Sequence, residues 1–171
     1  VGPVSENLVT AILVSVCAFL VMRMLLIRRD RVPSEKARAL VEGRPEVHLV
    51  LAAGPLYRGP AVRGPGITWL QTPGLSRLLR GVDLAVSACG FNTAHELMSA
   101  AVPTLFVPQP KIADDQAARA ARFARAEAAA VAAPDALAAS LPPLLDDAAA
   151  RARLAEGARA LGVTSAARDL A

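Results

Sequence analysis

The residues of this chain best suited to bind an anion lie between Ala88 and Glu96, in the run Ala-Cys-Gly-Phe-Asn-Thr-Ala-His-Glu. Gly90 supplies backbone freedom for a tight turn, and Asn92 and Thr93 are residue types that favour helix N-termini. The N–H groups and dipole of a helix N-terminus favour a phosphate. The alternative is that Thr93 and Glu96 only cap the helix, because they have the Ser/Thr-x-x-Glu spacing of a capping box.

The elements around this run are predicted from its flanks. Val82 to Ser87 and Pro103 to Pro108 are short apolar runs that indicate buried strands, and Ala94 to Val102 favours a helix. A right-handed crossover of this kind places the turn at the carboxyl edge of a parallel sheet. With further strands predicted near Glu46, Ile67 and Ala130, the predicted fold class is α/β, a Rossmann-like parallel sheet flanked by helices.

This run resembles the nucleotide-sugar-binding signature of GT-B glycosyltransferases. In that signature Cys-Gly-aromatic-Asn-Ser/Thr-x-x-Glu is followed by a small residue, a proline and Asp-Gln, and here the continuation is Ala101-Val102-Pro103 and then Asp115-Gln116. The likeness covers Glu46 to the C-terminus and is closest to the MurG-like C-terminal domain of family 28, which implies the C-terminal half of a GT-B fold. The chain departs from the pattern at Ala88, where the plant-type signature has His, and at Ala101, where Gly is usual.

The resemblance implies roles for the residues of the turn and the helix. Gly90, Asn92 and Thr93 would hold a diphosphate through backbone and side-chain donors. Glu96 would accept hydrogen bonds from the ribose hydroxyls, which suits a carboxylate facing a vicinal diol.

It also implies contacts for residues outside that helix. Asp115 and Gln116 would face the hydroxyls of the donor sugar. Trp69 and Leu70 would form a wall for the base, although Trp69 is one residue further from the glycine turn than the signature expects. Packing of Trp69 and Leu70 in the core is the alternative.

The implied function is the donor-binding domain of a hexosyltransferase. It would transfer a hexose or N-acetylhexosamine from a UDP-sugar to an unknown acceptor, without a metal or other cofactor. In GT-B enzymes the acceptor site and usually the catalytic base lie in the N-terminal domain, so no catalytic residue is identified here and a partner protein or a missing domain would supply them. The alternatives are a nucleotide-sugar hydrolase of the pseudaminic acid pathway type and a non-catalytic nucleotide-sugar-binding module.

Composition disfavours some other partners. The 171 residues carry a net charge of +4, but the arginines are scattered along predicted helices without interleaved aromatic residues, which argues against nucleic acid. Cys17 and Cys89 are the only cysteines and indicate a reducing compartment, so a cytoplasmic location is predicted.

The N-terminal segment allows two interpretations. Residues 8–27 are long and apolar enough for a membrane helix, and the arginines that follow would keep its C-terminal end at the cytoplasmic, inner face. Alternatively, Thr10 to Ala18 is the first buried strand of the α/β domain. We therefore divide the chain into an apolar N-terminal segment, residues 1–32, and a nucleotide-sugar-binding α/β domain, residues 33–171.

Overall fold

The structure is a computed structural model, and it describes residues 22–28, 39, 42–53, 58–72, 75–110 and 114–163. Within these residues the strands are β1 Met22–Arg28, β2 Val47–Ala53, β3 Ile67–Gln71, β4 Leu84–Ser87, β5 Thr104–Phe106 and β6 Ala130–Val131. The helices are α1 Phe91–Ser99, α2 Gln116–Arg125, α3 Leu137–Asp146 and α4 Ala148–Ala160, with a 3₁₀ helix at Leu75–Gly81.

The described strands form one parallel sheet in the order β3-β2-β1-β4-β5-β6. This confirms the predicted Rossmann-like α/β fold and the strands predicted near Glu46, Ile67, Val82, Pro103 and Ala130. Sequential strands run outward from β1 to β3, and the chain then crosses back to β4 on the other side of β1. Such a reversal leaves a crevice at the carboxyl ends of the two central strands, where doubly wound folds bind ligands.

The central strand β1 bears on the interpretation of the N-terminal segment. Met22 to Arg28 pair in parallel with β2 on one side, and Met24 to Ile27 pair with β4 on the other. A helix over residues 8–27 is therefore wrong for residues 22–27, while the strand proposed for Thr10 to Ala18 lies outside the described residues. Apolar runs suit a central parallel strand as well as a helix, which is why the sequence left both open. None of the helices in the described ranges has the length and apolar character to cross a membrane.

Both faces of the sheet are covered by packed side chains. On one face, residues of β2, β4 and β5 pack with Ala94, Leu97 and Met98 of α1 and with buried residues of α2 and α4. On the other face, Leu49, Leu84 and Leu105 belong to a cluster that includes the buried leucines of α3. Alternate residues of each strand point to opposite faces of the sheet. Helices α1 and α3 therefore pack on opposite faces.

Helix α3 departs from a local sequence rule. Two consecutive prolines ordinarily interrupt a helix, yet α3 runs from Leu137 to Asp146 with Pro142 and Pro143 inside it. Burial of Leu141, Leu144 and Leu145 against the sheet outweighs the loss of proline N–H groups there. In the sequence, Pro33 and Ser34 favour the start of a helix that would run to Val41, and within that range the structure describes only Ala39, which is helical.

Candidate functional site

The turn after β4 has an unusual backbone, but not at the residue that the sequence suggested. Cys89, not Gly90, is in the left-handed region, with φ 62°, while Gly90 is extended with φ −61° and ψ 148°. Left-handed backbone costs a non-glycine residue on the order of 1–2 kcal/mol. Cys89 is fully buried, and burial raises the pKa of its thiol to about 12, so the side chain is a packed neutral group.

Gly90 borders open space. A Cβ built on Gly90 would have no heavy atom within 4 Å outside its chain neighbours, and its backbone angles are allowed for any L-residue. Neither backbone strain nor packing within the described protein therefore demands glycine at this position. A ligand that approaches the backbone closely would demand it.

The first turn of α1 is not capped by a side chain. The helix begins at Phe91 with Gly90 as the N-cap residue, and its first intrahelical bond is donated by the Ala94 N–H to the Gly90 carbonyl. Thr93 is thus the third helical residue and Glu96 the sixth, so the capping-box interpretation is wrong. The helix starts three residues earlier than Ala94, and its leading N–H groups remain available to an anion.

Asn92 and Glu96 share one stripe of α1, since residues four apart lie one above the other on a helix. Asn92 is exposed, and Thr93 and Glu96 are half-buried. Burial raises the pKa of the Glu96 carboxyl above its ordinary value. The stripe presents an amide near the helix N-terminus and, one turn further on, a carboxylate that lacks full hydration.

A second stripe of α1 faces α2. Phe91 is 60% exposed and lies against His95, with ring centroids 4.3 Å apart. The His95 ring nitrogen Nδ1 is 2.8 Å from the Phe91 carbonyl oxygen, and the His95 ring meets Phe123 edge-on. The Arg119 guanidinium stands 5.4 Å from the Phe91 ring centroid, within reach of a cation–π interaction.

Arg119 connects α2 to the turn, and sequence analysis did not single it out. Its Nη1 donates to the Cys89 carbonyl oxygen at 2.7 Å, and its Nη2 donates to Asp114 Oδ1 at 2.6 Å. The sequence carried no signal for the first contact, because the acceptor is a backbone atom thirty residues away. The second contact joins Arg119 to a residue before the helix, five positions earlier, which is not one of the spacings of three or four at which side chains on a helix meet.

The two residues predicted to face a donor sugar lie at the start of α2. Asp115 is exposed and is the N-cap residue, its Oδ1 accepting from the Ala118 N–H at 2.9 Å. Gln116 is 4% exposed. Its Oε1 accepts from the Gln109 N–H at 3.0 Å, and its Nε2 donates to Asp114 Oδ2 at 3.1 Å. The two polar atoms of the Gln116 side chain therefore bind two points of the loop that joins β5 to α2, Gln109 and Asp114.

Trp69 and Leu70 lie in β3, three positions along the sheet from β4. Both are half-buried, and they face opposite sides of the sheet, since Leu70 packs with the cluster that contains α1 and Trp69 with the cluster that contains α3. The structure thus brings Gly90, Asn92, Thr93 and Glu96 together on one turn and helix. Asp115 and Gln116 begin the helix that Arg119 joins to the same turn, while Trp69 and Leu70 stand apart.

No cluster of three or more His, Cys, Asp or Glu side chains suited to a metal ion occurs among the residues that the structure describes. The site instead offers N–H donors, a helix dipole, uncharged side chains and one carboxylate. These groups can bind an anion joined to a hydroxyl-bearing group.

The sequence of this chain matches a known protein family. The family model for the glycosyltransferase family 28 C-terminal domain matches residues 72–171, which contain the turn and helices α1 to α4. None of the curated proteins matches the sequence.

Solved structures of glycosyltransferases resemble this chain in fold. The glycosyltransferase of kitacinnamycin is 25% identical with a TM-score of 0.62 over 88% of this chain. Spinosyn rhamnosyltransferase SpnG complexed with thymidine diphosphate is 24% identical with a TM-score of 0.60 over 81%. SnogD from Streptomyces nogalater is 20% identical with a TM-score of 0.63 over 82%. The chain spans 43%, 42% and 37% of the lengths of these three proteins.

Proposed function

Because this chain belongs to the glycosyltransferase family 28 C-terminal domain family, we propose that it binds the nucleotide-sugar donor of a hexosyl transfer. The donor is a UDP-sugar carrying a hexose or an N-acetylhexosamine, and the acceptor is not identified. The observation that carries this proposal is the uncapped N-terminus of α1, which follows the open position at Gly90 at the carboxyl end of a central strand.

The diphosphate of the donor sits on the first turn of α1 in this proposal. The N–H groups of the first turn, with the Asn92 and Thr93 side chains, donate to its oxygens, and the helix dipole opposes its charge. The missing side chain at Gly90 lets a phosphate approach the backbone. Glu96 accepts hydrogen bonds from the two ribose hydroxyls, so that a partly desolvated carboxylate regains partners when the ligand binds.

The sugar and the base of the nucleotide sugar are contacted by residues of α2 and β3 in this proposal. Asp115 is exposed and can reach the hydroxyls of the sugar from the start of α2. Gln116 contributes by holding Gln109 and Asp114, and the second N–H and second lone pair of its amide are the groups that would contact the sugar. Trp69 and Leu70 of β3 face opposite sides of the sheet, so in this proposal only Leu70, which lies on the same face as α1, contributes its side chain to a wall for the base.

The chemistry follows from where charge develops. An acceptor oxygen attacks the anomeric carbon, the bond from that carbon to the diphosphate oxygen breaks, and the diphosphate leaves with the electron pair. N–H groups and a helix dipole aimed at the departing oxygens stabilise that charge without reorganising. The acceptor site and the base that takes the acceptor proton come from a second domain or a partner protein in this proposal, since the chain spans only 43% and 42% of these two solved relatives.

Calorimetric titration of the chain with nucleotides tests the proposal. UDP and UDP-GlcNAc are expected to bind, UMP to bind at least tenfold more weakly, and uridine not to bind measurably, because the diphosphate carries most of the contacts. Titration with dTDP distinguishes the base, since the SpnG structure contains thymidine diphosphate. Failure of every nucleoside diphosphate to bind would refute the proposal, and UDP release from UDP-GlcNAc without an acceptor would indicate a hydrolase instead.

A further inference from the structure

The Arg119 guanidinium holds three parts of the site at once. It donates to the Cys89 carbonyl, pairs with the Asp114 carboxylate and stands over the Phe91 ring. The Arg119 side chain is only 16% exposed, so these contacts are shielded from bulk water. Charge-assisted hydrogen bonds of this length are among the stronger ones in proteins, and a forked guanidinium suits two acceptors on different elements.

The contact with Cys89 has a directional consequence. The Cys89 carbonyl and the Gly90 N–H belong to the same peptide unit, and in a planar trans peptide the two groups point in opposite directions. The chain has no cis peptide bonds among its described residues. By holding the Cys89 oxygen toward α2, Arg119 therefore directs the Gly90 N–H away from α2. It also supplies the partner that helps keep Cys89 in its left-handed conformation.

The contact with Asp114 has an electrostatic consequence. The Asp114 carboxylate and the Cys89 carbonyl are separated by one guanidinium and two hydrogen bonds, so a negative charge stands close to the turn. The Cys89 thiol feels both charges, since Arg119 lowers its pKa and Asp114 raises it, against the larger effect of burial. Without Arg119, the carboxylate would repel an anion bound at Gly90.

We propose that Arg119 is a positioning residue for diphosphate recognition: it aims the Gly90 N–H at the ligand and neutralises Asp114 beside it. This inference rests on the proposed function of the same site. Arg119 contacts no substrate in this account and acts through Cys89, Gly90 and Asp114.

Binding of UDP, UMP and uridine is measured by calorimetry for Arg119→Gln, Asp114→Asn and the double variant. Arg122→Gln is the matched control, since Arg122 lies on the same helix and is exposed. We expect Arg119→Gln to weaken UDP binding about 10- to 100-fold and UMP binding less, and Arg122→Gln to change neither. Adding Asp114→Asn to Arg119→Gln is expected to restore part of the lost affinity by removing the repelling charge. A merely structural role would give no such recovery.

The position of the Gly90 amide is tested without any ligand. In a ¹H–¹⁵N spectrum, Arg119→Lys should shift the Gly90 resonance, because lysine keeps the charge but cannot reach both acceptors with a planar fork, whereas Arg122→Lys should leave it in place. Unchanged UDP affinity in Arg119→Gln, or an unmoved Gly90 resonance in Arg119→Lys, would overturn the inference alone. Absence of UDP and dTDP binding in the unmodified chain would instead overturn the proposed function, and this inference with it.

Discussion

Gly157 of α4 packs directly on the backbone of Glu127: a Cβ built on Gly157 would stand 2.4 Å from the Glu127 carbonyl oxygen and 2.9 Å from the Ala128 nitrogen. Glu127 is itself left-handed, with φ 53°, at the turn that follows α2. A backbone atom cannot move aside as the end of a flexible side chain can. The glycine thus lets α4 close on the turn between α2 and β6.

We expect Gly157→Ala to destabilise the protein by about 1–3 kcal/mol, the usual range for overpacking, although alanine is the better helix former. Urea denaturation measures the change. Ala152→Gly, at an exposed position of the same helix, isolates the helix-propensity effect and should cost about 1 kcal/mol. Equal or greater stability of Gly157→Ala would show that α4 does not pack this closely.

Ala101→Gly is expected to stabilise the protein by about 1 kcal/mol. Ala101 has φ 52° and follows α1 in a Schellman arrangement, its N–H donating to Met98 and the Val102 N–H to Leu97. Glycine adopts this backbone without the penalty that alanine carries. Ala100→Gly, at a right-handed position next to it, should lower stability, and the two variants are compared by thermal unfolding.

Gly90→Ala is expected to separate stability from binding. The backbone angles of Gly90 allow alanine, and the added methyl group would have no heavy atom within 4 Å outside its chain neighbours. The free energy of unfolding should change by less than about 1 kcal/mol, because alanine restricts the unfolded chain but is a poorer N-cap residue than glycine. Affinity for UDP should fall at least tenfold, because the methyl group occupies the space that a phosphate needs. A variant that binds UDP as well as the parent chain would place the diphosphate elsewhere.

Glu96→Gln is expected to change stability and binding in opposite directions. The folded state raises the pKa of Glu96 above 4.5 through burial, so the folded protein holds this proton more firmly than the unfolded chain, and stability falls as pH rises through that range. Removing the charge should therefore give a slightly higher Tm at pH 7 and no difference well below pH 4.5. UDP affinity at pH 7 should fall about tenfold or more, since the ribose loses a charged acceptor.

Glu156→Gln is the control for that comparison, because Glu156 is exposed on α4 and pairs only with its neighbour Arg159 among the contacts described. It should leave UDP affinity unchanged. A Glu96→Gln variant that keeps full affinity would remove the ribose contact from the proposal.

Local sequence signals identified most of this fold. Parallel strands are buried on both faces and therefore appear in the sequence as short apolar runs bounded by turn residues. Leu84 to Ser87 is such a run, so its length and apolar character were enough to predict a strand. The strand from Met22 to Arg28 was not predicted, because most of it lies within a longer apolar segment, and only its pairing with β2 and β4 shows where it begins and ends. Pro142 and Pro143 lie inside α3 for a related reason, since the long-range packing of neighbouring leucines outweighs the local rule that proline interrupts a helix.

The assignment of the site residues stays a prediction, and the backbone that carries them was not predicted. The signature named Gly90, Asn92, Thr93 and Glu96, whereas neither the start of α1 at Phe91 nor the left-handed Cys89, whose carbonyl accepts a hydrogen bond from a helix thirty residues later, has a local sequence signal. The buried amide of Gln116 likewise follows from the path of the loop before α2, which spacing in the sequence does not determine.

The reach of Arg119 across to Cys89 limits how this site could be transplanted. A graft of residues 84–99 into another parallel sheet would carry the strand, the turn and the helix but leave behind the guanidinium that sets the peptide before Gly90. The smallest portable unit therefore extends to the end of α2, and a designer who recombines such domains should place the crossover after Arg125 rather than inside β5 or its following loop.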